Sequence, residues 1–212
     1  MLIKKFPKKP IITNVAALSS VSGTAAVTLN PSDKGANVTL SGGDLTATNT
    51  TTRGNARSTT SHSSGKYYLE FTCTTGSNGF DLATGIANSS ASLTTGPGWV
   101  GFNSVAKYNG ADVLLNNVTL VTSTSSTPAS LVCIAVDLDN NRIWYRVGSG
   151  IWNNNGANDP ATNTGGGDIS TMTGPFFVII SVEDTGAGDG VLTVNFGATA
   201  FAHTAPSGFG NW

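Results

Sequence analysis

Few acidic residues in this sequence have the spacing that acid–base catalysis requires. Asp137 and Asp139 lie two positions apart, and cleavage of a glycosidic bond needs two carboxyl groups about 5–10 Å apart. Both aspartates lie at the start of a predicted turn, however, where Asp is favoured for its hydrogen bonds to the backbone. Glu70 has no acidic residue two positions away on either side. The pattern therefore favours a turn, and we predict no catalytic residue.

Metal and nucleophilic chemistry have equally weak signatures. Glu183, Asp184 and Asp189 could gather oxygen atoms around Ca²⁺ in "VEDTGAGDG", although a Gly-rich hairpin explains the same residues. His62 and His203 are the only histidines, and no Gly-x-Ser-x-Gly elbow accompanies them. We therefore predict no metal site and no cofactor, and the calcium alternative stays open.

Aromatic side chains suit a different task, because broad rigid rings can stack on sugars or receive a peptide. In "RIWYRV" alternation places Trp144 on one strand face with Arg142 and Arg146, so Trp144 is either covered by a loop or offered to a partner. Tyr108 is the second candidate for exposure. We predict that these four residues contribute to a binding surface. Two further rings are expected in the core, namely Trp99 and Trp152.

The elements that must position these residues are short β-branched and aromatic runs bounded by Gly, Asn, Ser and Thr, a pattern that predicts strands. No amphipathic helix is evident. Two long polar stretches, 48–65 and 153–174, hold too few large apolar residues for a core and are expected to be loops, where binding usually resides. The expected strands are 25–29, 36–40, 66–74, 82–88, 98–102, 113–121, 131–138, 142–147, 176–183 and 191–196.

A hairpin is predicted where "VCIAVDL" and "RIWYRV" flank Asn140 and Asn141. Asn is one of the few residues that tolerate the positive φ angles required at both central positions of a type I′ turn. The sequence therefore predicts a tight turn at this Asn pair.

The two cysteines each fall within a predicted strand. Alternation puts Cys73 on the face of Leu69 and Phe71, whereas Cys133 falls on the face opposite Val132 and its alternate neighbours. Buried free thiols are the first interpretation, and a disulfide is the alternative. Two cysteines this far apart make no metal site.

Length and composition indicate one large all-β domain with an uncharged polar surface. The chain has 212 residues, of which 11% are charged and 26 are Gly, so solubility rests on neutral polar side chains. Such surfaces suit extracellular or virion proteins. No segment approaches the roughly 20 apolar residues that a membrane crossing needs, so no membrane association is predicted.

The first 24 residues form a separate segment. Pro7 and Pro10 interrupt a basic and apolar start that superficially resembles a secretory signal. A segment with this composition has little to pack on by itself, so we expect an arm, 1–24, that lies against another chain, followed by a domain, 25–212. The residues expected to dock are Lys4, Lys5, Phe6, Lys8 and Lys9.

Charge outside this arm argues against nucleic acid as a partner. The arm holds four of the eleven basic residues in its first nine positions, which leaves seven basic and twelve acidic residues in the remainder. A mildly acidic body does not suit binding to a phosphate backbone.

Five motifs in succession resemble SPRY domains, particularly those of bacterial and phage proteins. The resemblance covers about five-sixths of the chain and depends on the order of the motifs more than on any single one. Ser149-Gly150 replaces the Asn-Gly usual after the hairpin, which affects local loop geometry, and the arm lies outside the resemblance. The motifs are "LNPSDKGANVTLSGGDLTAT" at 29–48, "SSGKYYLEF" at 63–71, "TGIAN" at 84–88, "VDLDNNRIWYRVGSGIW" at 136–152 and "VNFGATAFAHTAPSGF" at 194–209.

The resemblance implies a bent, concanavalin A-like sandwich of two antiparallel sheets, with "SGKYYLEF" as a central strand. It also implies that loops at one edge bind partners, usually proteins or peptides, without catalysis. Family loops vary too much for any binding residue to be carried over to this chain.

Together these features suggest a non-enzymatic virion surface protein: a capsid decoration, head fibre or tail-associated component. The arm would bind other virion proteins, and the sandwich would face a host protein or glycan; homo-oligomerisation stays open. The alternative is a secreted lectin-like sandwich that binds or cleaves carbohydrate. A structural cement protein without a ligand is a third hypothesis.

Overall fold

The structure is a computed structural model. The arm, with its docking candidates Lys4, Lys5, Phe6, Lys8 and Lys9, lies outside the described residues, and so does Asp189. The described residues are 26–49, 51–75, 82–99, 103–108, 110, 112–122, 130–184 and 190–212.

The part of the chain that the structure describes is built from strands and two single-turn 3₁₀ helices, Trp152–Asn154 and Pro160–Thr162. The strands are β1 (Leu29–Lys34), β2 (Thr39–Ser41), β3 (Thr46–Asn49), β4 (Gly54–His62), β5 (Lys66–Thr75), β6 (Leu82–Ala87), β7 (Ser104–Tyr108), β8 (Val113–Leu115), β9 (Val118–Val121), β10 (Leu131–Asp137), β11 (Arg142–Val147), β12 (Gly167–Asp168), β13 (Phe176–Val182), β14 (Gly190–Asn195) and β15 (Gly210–Asn211).

The strands form two sheets that face each other as a sandwich, so the all-β prediction is confirmed. One sheet has the order β1-β4-β13-β6-β7-β8-β9. The other has the order β12-β11-β10-β5-β14-β3-β2, with β15 added parallel to β5. The remaining strand pairs are antiparallel. The predicted central position of "SGKYYLEF" is therefore also confirmed.

The core lies between the sheets and follows the period-two pattern of the sequence. Leu69 and Phe71 of β5 and Ile134 and Val136 of β10 are fully buried in one cluster, because alternate residues of a strand point to the same face.

Six predicted strands match β5, β6, β10, β11, β13 and β14 to within one residue at either end.

Four predicted strands are partly wrong. Residues 26–28 are not strand, β1 begins at Leu29, and β2 is displaced to Thr39–Ser41. Residues 98–99 are not strand, and β7 begins at Ser104. The single strand predicted at 113–121 is a hairpin, because Asn116 and Asn117 adopt left-handed φ angles of 53° and 60° that end β8.

The polar stretch 48–65, predicted to be a loop, contains β4, a nine-residue strand between β1 and β13. Asn55 and Arg57 on this strand are buried, and both donate hydrogen bonds to neighbouring segments, which permits their burial. Asn55 Nδ2 donates to the carbonyls of Ser92 and Thr95, at 2.8 and 2.7 Å. Arg57 donates to both carboxylate oxygens of Asp33, at 2.7 and 2.8 Å. A search for large apolar residues misses a strand of this kind.

The predicted hairpin is present, but its turn is not type I′. Pairing ends at Asp137–Arg142, which leaves a four-residue loop in which Asn141, with φ at 55°, has the positive φ and Asn140 does not. The Asp137 carboxylate accepts hydrogen bonds from the backbone N–H groups of Asp139 and Asn140, at 3.1 and 3.0 Å. These bonds stabilise the loop. Its length explains the absence of a type I′ turn, because four-residue hairpin loops are usually built around a type I turn.

Both cysteines are buried free thiols, as predicted. Cys73 lies in the core, where burial raises its pKa to about 11. Cys133 on β10 pairs with Glu70 on β5. Glu70 lies three positions before Cys73 in the same strand, so Glu70 and Cys133 are on the sheet face opposite Cys73. The disulfide alternative is therefore wrong.

We expect Gly85→Ala to destabilise the sandwich, because a Cβ at this position would overlap the carbonyl oxygen of Val105 on β7. Overpacking of this kind costs about 1–3 kcal/mol or more. The control is Gly156→Ala, since no atom lies within 4 Å of its added Cβ. Urea unfolding should show a clear loss for Gly85→Ala alone, and equal midpoints for both variants would contradict the packing described here.

Candidate functional site

Trp144 is fully buried on the outer face of the eight-stranded sheet. Its indole N–H donates to the carbonyl of Thr164 at 3.0 Å, and a Cβ on Gly166 would lie 2.6 Å from the ring. Phe209 meets the ring edge-on, with centroids 6.3 Å apart. The prediction of an exposed Trp144 is wrong, because the loop after β11 covers it.

Tyr108 is also fully buried, on the outer face of the seven-stranded sheet. Its hydroxyl donates to the carbonyl of Pro97 at 2.8 Å, and the Arg53 guanidinium lies 5.5 Å from its ring centre. Burial raises the pKa of Tyr108 to about 12. The predicted exposure of Tyr108 is wrong because residues before β7 fold back over this strand.

The two arginines of the predicted surface fasten loops to β11. Arg142 pairs with Asp168 at 3.3 Å in a half-exposed contact. Arg146 lies 4.4 Å from the ring centre of Trp152 and donates to the carbonyl of Thr204 at 3.4 Å. The four predicted residues therefore do not form one exposed surface.

The carboxylates considered for catalysis cap backbone groups. Buried Glu70 accepts from the backbone N–H groups of Ala202 and His203, at 2.7 and 2.8 Å, and from the Tyr68 hydroxyl at 2.9 Å. Asp137 caps the hairpin loop and pairs with Lys66 at 3.0 Å. The two carboxylates thus hold loops in place.

Sequence patterns missed an exposed apolar surface, which we call the Trp99 surface and define by Trp99 and Val118. Trp99, expected in the core, is 40% exposed, and Val118 is 66% exposed. A hydrogen bond of 2.8 Å from Asn117 N to Gly98 O joins the two segments that carry them. The glycines and the proline of "GPGW" are the sequence signal that indicates a turn at this Trp.

A concave site lies beside the edge strands β9 and β12. This cleft of about 590 Å³, called here the asparagine cleft, is formed by the end of β9 and the loop after β11. Most of its lining lies in the stretch 153–174, which was predicted to be a loop. That stretch is a loop except for the end of the first 3₁₀ helix, the second 3₁₀ helix and the two residues of β12. Its lining residues are Leu120, Val121, Thr122, Asn153, Asn154, Asn155, Gly156, Asn158, Gly165 and Gly166.

The ranges that the structure describes include Glu183 and Asp184, two of the three residues considered for calcium. Within those ranges, no three or more His, Cys, Asp or Glu side chains cluster in a way that could hold a metal ion. Glu183 pairs there with Arg53. The same ranges contain no helix with the length and apolar character for crossing a membrane.

Comparisons with solved structures identify the architecture. The SPRY domain of human HERC1 is similar over 81% of this chain and 99% of its own length, with a TM-score of 0.63 and 11% identity. The TRIM65 PSpry domain is similar over 80% of this chain and 91% of its own length, with a TM-score of 0.54 and 12% identity. Stonustoxin matches 80% of this chain, which spans 27% of the toxin chain, with a TM-score of 0.56 and 14% identity.

Sequence comparisons add nothing to this likeness. No family model matches the chain, and no curated protein matches it. At these identities the solved structures establish the SPRY fold alone, so the site must be interpreted from this chain's own residues.

We expect Asp137→Asn to lower stability by about 1–3 kcal/mol at pH 7, the usual range for losing hydrogen bonds to a charged group. Burial by itself would raise the pKa of Asp137, but the hydrogen bonds from Asn140 and Lys66 outweigh it and lower the pKa below its ordinary value. The stabilisation is therefore present above the unfolded pKa and lost as pH falls through the folded one.

The measurement is urea unfolding of both proteins between pH 7 and pH 2. The difference in unfolding free energy should shrink below about pH 4. Asp44→Asn is the matched control, because Asp44 lies in the turn between β2 and β3 with a φ of 61°, which Asn also tolerates, and its unfolding midpoint should equal that of the wild type. A difference for Asp137→Asn that persists unchanged at pH 2 would contradict the role of the charge.

Proposed function

We propose that this chain is a non-enzymatic interaction module that binds a partner protein through the Trp99 surface. The observation that carries the proposal is a 40% exposed Trp and a 66% exposed Val on two segments that the hydrogen bond from Asn117 N to Gly98 O joins. Tryptophan is among the residues that most often dominate binding energy, because its rigid ring buries a large area at small entropy cost.

The carboxylates support the absence of catalysis. A general acid or base must reach a substrate proton, and Glu70 and Asp137 are committed to backbone capping and to Lys66. His203 contributes its backbone N–H to Glu70. The SPRY resemblance points the same way, since it implies partner binding through loops.

The geometry around Trp99 supports a preorganised contact. Gly98, with φ at 85°, allows the chain to turn beside Leu114, whose carbonyl oxygen would lie 2.6 Å from an added Cβ. The bond from Asn117 N to Gly98 O ties this turn to the β8–β9 hairpin. A contact residue on a braced turn loses little conformational freedom on binding.

We further propose that the module belongs to a virion surface, as a capsid decoration, head fibre or tail-associated protein facing a host. Support comes from sequence: a low-charge surface rich in Gly, and a basic arm followed by a mildly acidic domain. In this scheme the arm binds other virion proteins and the loop rim faces outward.

The Trp99 surface is tested by affinity capture of partner proteins from the organism that makes the protein. Trp99→Ala should reduce recovery of the main partner by at least about tenfold, as expected for a central interface Trp. Ile151→Ala is the matched control, because Ile151 is 55% exposed and lies on the loop after β11. Equal recovery by both variants would overturn the assignment to this surface.

Deletion of residues 1–24 tests the proposed anchor. The described part begins at Ala26, so the deletion removes no described contact, and we expect an unchanged melting temperature. Incorporation into particles, measured by mass spectrometry of purified virions, should fall to background. A truncated protein that is incorporated normally would refute the role of the arm.

A further inference from the structure

The asparagine cleft has a lining that is neutral and rich in amides. Its side chains come from four asparagines, one threonine and two aliphatic residues, and the rest of its lining is glycine. Within the described residues, no charged side chain lines it. An ionic ligand would therefore find no opposite charge, and a lipid would find little apolar surface.

Several amide groups in the cleft are available to a ligand. Among the described residues, the side chains of Asn154 and Asn158 have no hydrogen-bond partner, and Asn155 uses only its Oδ1, which accepts from Ala157 N at 3.0 Å. Asn154 and Asn155 are exposed. Each free amide offers two donors and one acceptor oxygen, which matches ligand groups that both donate and accept.

The cleft wall is held in shape by the sheet beneath it. Asn153 is buried, and its Oδ1 accepts a hydrogen bond of 2.8 Å from the backbone of Tyr145 on β11. Asn153 and Asn154 both have left-handed φ angles, 50° and 52°. This pair turns the chain so that the first amide faces the sheet while the second residue remains exposed. A wall fixed in this way does not have to be ordered by the ligand.

Two glycines form another part of the lining. Gly165 and Gly166 have φ angles of 68° and 91°, and added Cβ atoms would overlap the Asn158 amide and the Trp144 ring respectively. The backbone therefore lies directly on the side chains that shape the cleft. Leu120, half-buried on β9, supplies an apolar contact at its margin.

We propose that the asparagine cleft binds a short neutral saccharide. Sugar hydroxyls both donate and accept hydrogen bonds, as free amides do, and the C–H face of a sugar ring can contact Leu120. The volume of about 590 Å³ lies within the range of small-molecule sites. This proposal is independent of the Trp99 surface, because the two sites share no residue.

The test uses an array of neutral saccharides that carry glucose, galactose, mannose and N-acetylhexosamine units, with sialylated and sulfated saccharides on the same array. We expect at least one neutral saccharide to be retained. Its free form, titrated into ¹⁵N-labelled protein, should shift the amide signals of Asn154, Asn155 and Asn158.

Three variants locate the site. Gly156→Tyr adds a ring at the rim without backbone strain, since nothing lies within 4 Å of its Cβ, and Asn158→Ala removes one free amide. Both should weaken saccharide binding at least tenfold with unchanged melting temperatures. Ala161→Tyr, exposed and outside the lining, should bind like the wild type.

Several outcomes would overturn the proposal. These are retention of no neutral saccharide by the folded protein, retention of only acidic saccharides, or equal binding by Gly156→Tyr and the wild type. Displacement of chemical shifts in the cleft by a partner peptide but by no saccharide would assign the cleft to a protein ligand instead. Trp99→Ala should retain saccharide binding, so failure here is distinguishable from failure of the protein-binding function.

Discussion

Buried polar side chains that must be hydrogen-bonded hold the loops of this sandwich against its sheets. Asn55, Arg57, Glu70 and Asp137 are each at most 6% exposed. All four bond to loop residues, and Asn55, Arg57 and Glu70 reach loops 34 or more positions away in the chain. An unsatisfied buried polar group costs about 1–3 kcal/mol. Moving a loop away from its buried partner therefore costs free energy. These hydrogen bonds therefore hold the loops on the strands that they cover.

This constraint explains why the large aromatic residues on the outer sheet faces are buried. Loops that are tied to β4, β5 and β11 lie across both sheets and cover Tyr108 on one and Trp144 on the other. The exposed surface above these strands is therefore formed by the covering loops. Trp99 is exposed because it belongs to such a covering loop, not to a strand.

Sequence patterns predicted the strands whose inward side chains are apolar. They missed β4, whose buried polar side chains depend on hydrogen-bond partners far away in the sequence. β5 and β10 follow a period of two, and their inward residues are large and aliphatic, so local pattern was sufficient. β4 buries Asn55 and Arg57, and their partners, Ser92 and Asp33, lie 37 and 24 positions away. For the same reason Trp144 could not be assigned, since its cover depends on Gly166. The Gly-Gly pair was the available signal of a close backbone approach.

Asparagine connects loop geometry with binding capacity in this chain. In the described ranges, seven of the eight non-Gly residues with positive φ are Asn. Glycine would satisfy the same turns with less strain, but it offers no side-chain donor or acceptor. Where the turn faces solvent in open surroundings, as at Asn116 and Asn117, the amide adds only polarity. Where two such residues border a concave space, as Asn153 and Asn154 do, the conformation that bends the chain also fixes one amide on the sheet and leaves the next residue exposed. A low-charge surface can therefore gain a polar recognition site without any ion.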